Sequence, residues 1–401
     1  MGGSVAMGPH RTVASVLAVL ACFLFQLADS TLLASVQPLK SYKLEAGKSS
    51  AYPYYDARLE IARYAALVHE TYADAGEAAH ELDDAVSALL DDPTEATLAT
   101  ARGAWLKARA AYMATEPYRF YGGPIDGAGD ALARLDPWPI DETYVDRLIG
   151  DPKVDLTRRT LRQPPGAANA ADAATGFHVI EFLLWGKDKN PGFGRGRPPK
   201  DYEGGSADRR RLYLTTAIKL LIEDIGQVTQ AWAPQAAANY AAQLLALDQR
   251  EALGRILSGM AILADEEIAH RRLLAALDDR TRASPLDRYS LHTNDDLTAD
   301  LDGIRAVWTG DDRQSVGPGL DSLVAAFDPN LALRLDRRLA AAQAALRLLD
   351  KPFDRVLSAP RGSTGWTRVE EAAAAFHDLA VTIAEVGRLL AVHVPLSSSS
   401  A

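Results

Sequence analysis

The sequence predicts an all-α fold: two packed helical domains, each four-helix-bundle-like, with long irregular loops. Three observations carry that expectation. Apolar residues recur three and four positions apart in nearly every patterned segment, which places them on one face of an α-helix. Few runs show the strict alternation of a half-buried strand. The patterned segments are also long and Ala-rich, as bundle helices are.

Taken in order, the chain opens with Arg11, an apolar run from Val13 to Leu27 broken by Ser15 and Gln26, and then Ala28-Asp29-Ser30. A basic residue, a short apolar stretch and a small-x-small site make up a secretory signal, so residues 1–30 read as a signal peptide and 31–50 as a linker. The run is short for a membrane span. A second reading is a lipoprotein signal at Val19-Leu20-Ala21-Cys22, but Phe23-Leu24-Phe25 carry the apolar run past that cysteine and favour cleavage after about Ser30.

Leu82, Val86 and Leu89 place a helix within about 51–90. Leu98, Ala101, Trp105, Ala108 and Tyr112 place a second over about 94–116, with Asp92, Pro93 and Glu95 as its capping box. Residues 117–170 and 187–206 are too rich in Gly and Pro to be helical, and structureless loops of that length lean functional. Between them lies a helix at about 171–186, and after them one at about 207–232 with the stripe Leu214, Ile218, Leu221, Ile225, Val228 and Trp232. These form an N-terminal bundle over 51–232. A C-terminal bundle over 233–395 takes helices at about 235–280, 296–309, 317–349 and 366–393. The last of these carries a stripe from Val369 to Leu390, with Thr367 and Glu370 as its capping pair. No internal repeat relates the halves, and 396–401 read as a disordered tail.

Composition narrows the function classes. With 43 Lys and Arg against 53 Asp and Glu, the net charge is -10, and the basic residues are interspersed with acids, which argues against a nucleic-acid scaffold. The 48% hydrophobic content argues against disorder, and a single cysteine excludes a disulfide framework. If the signal is cleaved, the exported chain has no thiol at all.

The most informative segment runs from Gly176 to Gly186. Its helix is apolar around the whole circumference, which marks it as buried, and His178 and Glu181 are its only ionisable residues. At i,i+3 they share a face, and a buried carboxylate needs a cation, an Arg or a metal. A His and a carboxylate projecting inward from a bundle helix form half of a metal site. The alternative is a buried hydrogen-bonded pair. Continuing the stripe Leu253, Ile256, Met260 and Leu263 lands on Glu267 and His270, a second candidate pair, although Asp265, Glu266, Arg271 and Arg272 also suit an exposed ion-paired turn. Glu116 ends a helix beside Arg119, which has the planar fork to neutralise Glu181 or a substrate carboxylate. Asp126, after Gly122-Gly123-Pro124, is a ligand or a turn residue.

Gly176-x-His178-x-x-Glu181, its flanks Ala174-Thr175 and Leu184-Trp185-Gly186, and the block Tyr118-Arg119-Phe120-Tyr121-Gly122-Gly123-Pro124-Ile125-Asp126 resemble the imelysin-like family, in its iron-regulated branch. The likeness spans about 55–395. It implies an exported two-bundle protein of the bacterial envelope or periplasm, linked to iron acquisition, with its site between the bundles. The family is also classed among metallopeptidases. Two blocks depart from the branch pattern. His270-Arg271-Arg272-Leu273 stands where relatives tend to have a second Glu followed by Arg-Met, and Tyr289-Ser290-Leu291-His292-Thr293-Asn294-Asp295-Asp296 has its His and Asn exchanged.

Three functions follow from this reading. In the first, the protein binds iron or a small iron complex for uptake and passes it to an envelope transport component. Imidazole and carboxylate suit iron, zinc or manganese rather than copper(I), with His178 and Glu181 as ligands, Glu116 or Glu267 completing the set and Arg119 as an anion contact. The second is a zinc peptidase. His69-Glu70-Thr71-Tyr72-Ala73 lacks the second His of a zincin, and position 182 is Phe where the inverted motif needs His. The third is a scaffold for a partner or a non-metal ligand.

Overall fold

Seven of the described helices start where a short polar side chain takes a free backbone N–H group, and several of those starts are not where the patterning puts them. The computed structural model describes residues 54–187, 196–205, 207–234, 236–278, 287–311 and 315–396. The expected signal peptide with Cys22, the 31–50 linker, residues 188–195 of the second loop and the Ser397–Ser400 tail lie outside the described residues. Among those described there is no strand, and the fold is all-α.

The helices are α1 (Arg58–Asp91), α2 (Glu95–Met113), α3 (Ala131–Leu135), α4 (Glu142–Gly150), α5 (Arg158–Arg162), α6 (Phe177–Trp185), α7 (Asp208–Trp232), α8 (Tyr240–Leu245) and α9 (Gln249–Ile262). A π-helical segment (Leu263–Leu274) runs on from α9 into α10 (Ala275–Asp278). Then come α11 (Thr293–Thr309), α12 (Leu320–Ala325), α13 (Pro329–Leu348), α14 (Arg355–Ser358) and α15 (Thr364–Leu389). Single 3₁₀ turns cover Glu116–Tyr118 and Pro199–Tyr202.

Local capping explains most departures from the expected boundaries. Helix α2 is capped by Thr94, not Asp92, because Thr94 and Thr97 satisfy one another's backbone N–H groups. Helix α15 begins at a Ser363 cap, four residues before Thr367, and Glu370 accepts from the Trp366 indole instead of closing a box. The stretch 117–170 is not structureless. Three short helices, α3 to α5, form there despite the Gly and Pro content, with Asp141 and Thr157 capping α4 and α5. The expected helix at 317–349 is broken by an Asp328 cap with Pro329 at the first helical position, and the one at 235–280 by an Asp248 cap.

The described residues form one compact unit. Helix α1 packs on α2 and α7, and α6 lies against α2 and α7. Helix α15 packs on α13, α9 and the π-helical segment. Helix α11 bridges these sets, touching α2, α13 and the 3₁₀ turn at Glu116–Tyr118. That turn is set deep because α9 presents Gly259 to it: a Cβ there would come within 2.2 Å of the Pro117 carbonyl oxygen. The result is an interior carrying polar side chains from α2, α6, α11 and the turn.

Candidate metal centre

Helix α6 is short and nearly all of it is buried, so its polar side chains must find partners inside the protein. Gly176 sets its start. With φ of 97° and a Cβ position only 2.6 Å from Pro137 Cδ and 2.8 Å from the Leu135 carbonyl oxygen, no other residue fits without displacing the 134–137 segment. At the next position the Phe177 carbonyl accepts from the Trp105 indole at 3.1 Å, tying α6 to α2.

His178 and Glu181 are fully buried. His178 Nδ1 lies 3.1 Å from Glu181 Oε2, and Nε2 lies 3.1 Å from Asp136 Oδ1. The other Glu181 oxygen accepts from the backbone N–H groups of Tyr289 at 3.0 Å and Ser290 at 2.7 Å. Asp287 completes a group whose three ligand atoms, with those of His178 and Glu181, lie within 4.8 Å of one another. Its Oδ1 is 3.9 Å from His178 Nδ1. Both Asp287 oxygens are buried without a hydrogen bond.

Arg109, on α2, is the counter-charge. It is buried, with Nη1 2.5 Å from Asp136, Nη2 2.8 Å from Asp296 and Nε 3.5 Å from Asp287. Burial works against its charge, but the three aspartates outweigh burial and hold the guanidinium firmly protonated. Asp136 is held well below the ordinary carboxylate range, because Arg109 and His178 outweigh its own burial. His178 is raised above its ordinary value. Burial and Arg109 lower it, and the bonds to Asp136 and Glu181 more than compensate. Asp287 is pushed well up by burial and by Asp296 beside it. Both shifts favour the protonated forms of His178 and Asp287.

The donors fit a metal ion. Asp287 has Arg109 at 3.5 Å but no hydrogen bond to either buried oxygen, which costs about 1–3 kcal/mol per oxygen even when neutral, and a cation shared with His178 and Glu181 would remove that cost. With Nε2 anchored on Asp136, His178 already shows the carboxylate–His arrangement that orients a ligating imidazole through Nδ1.

The profile of the imelysin family, Peptidase_M75, matches residues 68–383. The chain belongs to the imelysin family. It is 26% identical over 320 residues to iron-regulated protein A of Synechococcus elongatus (strain ATCC 33912 / PCC 7942 / FACHB-805), covering 78% of this chain and 81% of that one. Its fold matches the crystal structure of an iron-regulated protein A precursor from Parabacteroides distasonis ATCC 8503, with TM-score 0.66, 18% identity and coverage of 85% and 97% of the two chains. It also matches an imelysin-like protein from Psychrobacter arcticum 273-4, with TM-score 0.63, 16% identity and coverage of 86% and 100%. The imelysin segment contains every residue of the group described above.

Other expected site residues of this imelysin lie elsewhere. Glu116 is buried but pairs with Arg119 at 2.7 Å and Arg272 at 3.6 Å. Arg272 also pairs with Asp300, one turn along α11 from Asp296. Glu116 thus belongs to a neighbouring ionic cluster, outside the His178 group. Arg119, expected to neutralise Glu181 or a substrate carboxylate, is taken by Glu116, while Glu181 is served by backbone N–H groups and His178. Asp126 is a turn residue: it accepts from the N–H groups of Phe120 at 2.6 Å and Gly123 at 2.8 Å. Glu267, partly buried, pairs with Arg271 at 3.0 Å, and His270 Nδ1 donates to the Asp265 carbonyl at 2.7 Å.

The π-helix explains those last two. Extending the α-helical stripe past Leu263 assumes 3.6 residues per turn, whereas a π-helix turns more slowly. Asp265, Ile268, Ala269, Arg272 and Leu273 face the interior instead, and Glu267 and His270 rotate out. Four residues of the centre, and Asp300 of the neighbouring cluster, escaped the sequence reading. Arg109 follows Trp105 by four on the α2 stripe, and Asp296 and Asp300 are i,i+4 between the buried Leu297 and Leu301. Those were readable signals. Asp136 and Asp287 lie outside any periodic segment and gave none.

Proposed function

We propose that this imelysin is an exported protein of the bacterial envelope or periplasm that binds iron, as the ion or a small iron complex, for uptake. His178, Glu181 and Asp287 hold the metal, Asp136 orients His178, and Arg109 balances the aspartates. The single observation that carries this reading is the Asp287 carboxyl group, buried with neither oxygen hydrogen-bonded and grouped with His178 and Glu181. Imidazole plus two carboxylates suits iron, with zinc or another divalent ion as competitor. The names of the relatives, iron-regulated protein A, point the same way. In this arrangement the N-terminal bundle supplies His178 and Glu181 and the C-terminal bundle supplies Asp287. An envelope transport component receives the cargo.

The test is metal analysis by plasma mass spectrometry of protein purified from the periplasm, beside His178→Ala and Asp287→Asn. Stoichiometric iron in the wild type and trace metal in both variants is expected. Equal, trace metal in all three proteins sinks the proposal.

One observation favours a zinc peptidase as the second reading. The three-ligand set missing from every linear motif is assembled here from distant segments. Against it stands the burial of all three ligands, which leaves no approach for a polypeptide. Chelator-sensitive cleavage of a mixed peptide library, lost in His178→Ala, would overturn the carrier reading in favour of this one.

A further inference from the structure

An ion can reach the buried centre only if part of its wall moves, because the side chains of His178, Glu181 and Asp287 are at most 1% exposed. Arg109 and Asp296 in that wall stand on helices, and Asp136 stands on the 134–137 segment that Gly176 packs against. The remaining piece is the chain from Asp287 to Leu291, a turn in which the Leu291 N–H donates to the Asp287 carbonyl at 2.7 Å. It is a single chain thick. Inward, its Tyr289 and Ser290 N–H groups donate to Glu181 at 3.0 and 2.7 Å, while Arg288 and Leu291 beside them are partly exposed. Leu291 has φ of 65°, a left-handed conformation that a bulky side chain adopts only at a cost.

A carboxylate on the outer side ties this strained turn down. Glu142 Oε1 accepts from Arg288 Nη2 at 2.6 Å and from the Tyr289 hydroxyl at 2.9 Å, and Oε2 pairs with Lys187 at 3.2 Å. Glu142 opens α4, where the helix dipole favours a negative charge. Helix α4 is a fixed post: it packs on α7, whose Arg209 donates to the carbonyls of Leu148 at 2.9 Å and Ile149 at 2.6 Å. The turn has weaker ties besides, an Asp287 N–H to Thr293 bond at 3.3 Å and a Tyr289 ring 5.4 Å from that of Phe182. Glu142, Arg288 and Lys187 are 14, 29 and 45% exposed, so water competes for each of them and their bonds release far more readily than a packed helix does.

We propose that the Asp287–Leu291 turn is the door through which the metal ion enters and leaves the buried centre, and that Glu142 is its latch. When Glu142 releases Arg288 and Tyr289, the turn swings outward, uncovers Glu181 and takes Asp287 with it. Opening thus withdraws one ligand and two backbone donors together, and closing restores the full set around the ion. The proposal rests on the reading of His178, Glu181 and Asp287 as a metal site. A latch that holds the closed form equally with and without metal changes the rates of loading and release together and leaves affinity alone.

The test compares the wild type with Glu142→Gln, which removes the charge of the latch, and Tyr289→Phe, which removes one of its bonds; both keep all three ligands. In metal-free protein, hydrogen exchange at the Tyr289 and Ser290 amides should quicken by about 5–30-fold in Glu142→Gln and by less in Tyr289→Phe, with the amides of α1 unchanged. Zinc loading in stopped flow and zinc release to excess chelator should both quicken by that same factor, with Kd held within about twofold. Amide exchange that stays at the wild-type rate in Glu142→Gln overturns the proposal. So does faster exchange with unaltered zinc rates, and so does weaker zinc binding with unaltered loading, which would make Glu142 a mere prop for Asp287. A wild type that takes up neither zinc nor iron sinks the carrier reading instead, and amide exchange alone then decides the latch.

Discussion

Two of the stretches that pair one His with one Glu at a spacing of three end in opposite environments. In α6, His178 and Glu181 are wholly buried and bonded to each other. In the π-helical segment, Glu267 and His270 are partly exposed and each turns to another residue. The difference does not lie in the pair. It lies in the winding of the backbone and in what surrounds it: α6 has no polar face, so any rotation buries its pair, whereas the second pair sits on a helix whose register decides what is inside. A motif is therefore worth what its helix guarantees about direction. The same shift that turns His270 outward turns Arg272 inward to Asp300 and Glu116.

The largest expected effect separates the two arginines that serve these pairs. Arg109 is the buried cation facing Asp136, Asp287 and Asp296, and removing one partner of a buried ion pair costs about 3–5 kcal/mol. Arg109→Leu should lose at least that much, read as a drop in urea midpoint or as loss of soluble protein. Arg271 is 64% exposed beside Glu266 and Glu267, and Arg271→Leu should stay within about 0.5 kcal/mol. Equal destabilisation by the two would break the contrast.

A smaller effect is the pH profile of the metal-free protein. His178 is raised above 6.5, so its charged pairing stabilises the fold fully below that pH and is lost as pH climbs through the raised value. Asp287, raised well above 3.8, works in the same direction, because the native state holds a proton that the unfolded state has given up. Asp136, depressed well below 3.8, contributes above that pH and loses its contribution as pH falls toward the lower value. Thermal unfolding of metal-free protein should therefore peak in the mildly acidic range and decline on the alkaline side. Saturating iron or zinc should flatten that decline and, at about 100 times Kd, add roughly 2.7 kcal/mol. A metal-free melting temperature that rises steadily from pH 5 to pH 8 would contradict the assignment of protons to this group.

How much of this was legible in the sequence follows from the same contrast. The all-α class and the burial of His178 and Glu181 were readable, because long apolar stripes and an unbroken apolar circumference leave no second interpretation. The register after Leu263 was not, because nothing in Asp265-Glu266-Glu267-Ile268-Ala269-His270 distinguishes π from α winding; tertiary packing of that segment on α15 accompanies it. Asp136 comes from a Gly- and Pro-rich connection whose path is fixed only by contacts such as those at Gly176. Asp287 enters from a segment with no period. Ligands brought by irregular chain are set by the fold around them, and no local pattern announces them.

The smallest expected effect tests Glu267 directly. The sequence stripe offers it as a metal ligand, and the structure leaves it partly buried, 18% exposed and 3.0 Å from the mostly exposed Arg271. Exposed pairs one turn apart on a helix contribute about 0.3–0.5 kcal/mol, so Glu267→Gln should change stability by no more than that. Metal content should be unchanged, since the substitution does not touch the buried group. The sharper comparison is Glu181→Gln, nearly isosteric, at the position three residues after the other histidine. That change removes the charge facing His178 and leaves an amide that can no longer accept from both the imidazole and the Tyr289 and Ser290 N–H groups with the same strength. Bound metal should fall to trace in Glu181→Gln while Glu267→Gln retains the wild-type load. Loss of metal in Glu267→Gln would mean that the π-helical segment rewinds toward α on binding and brings Glu267 inward.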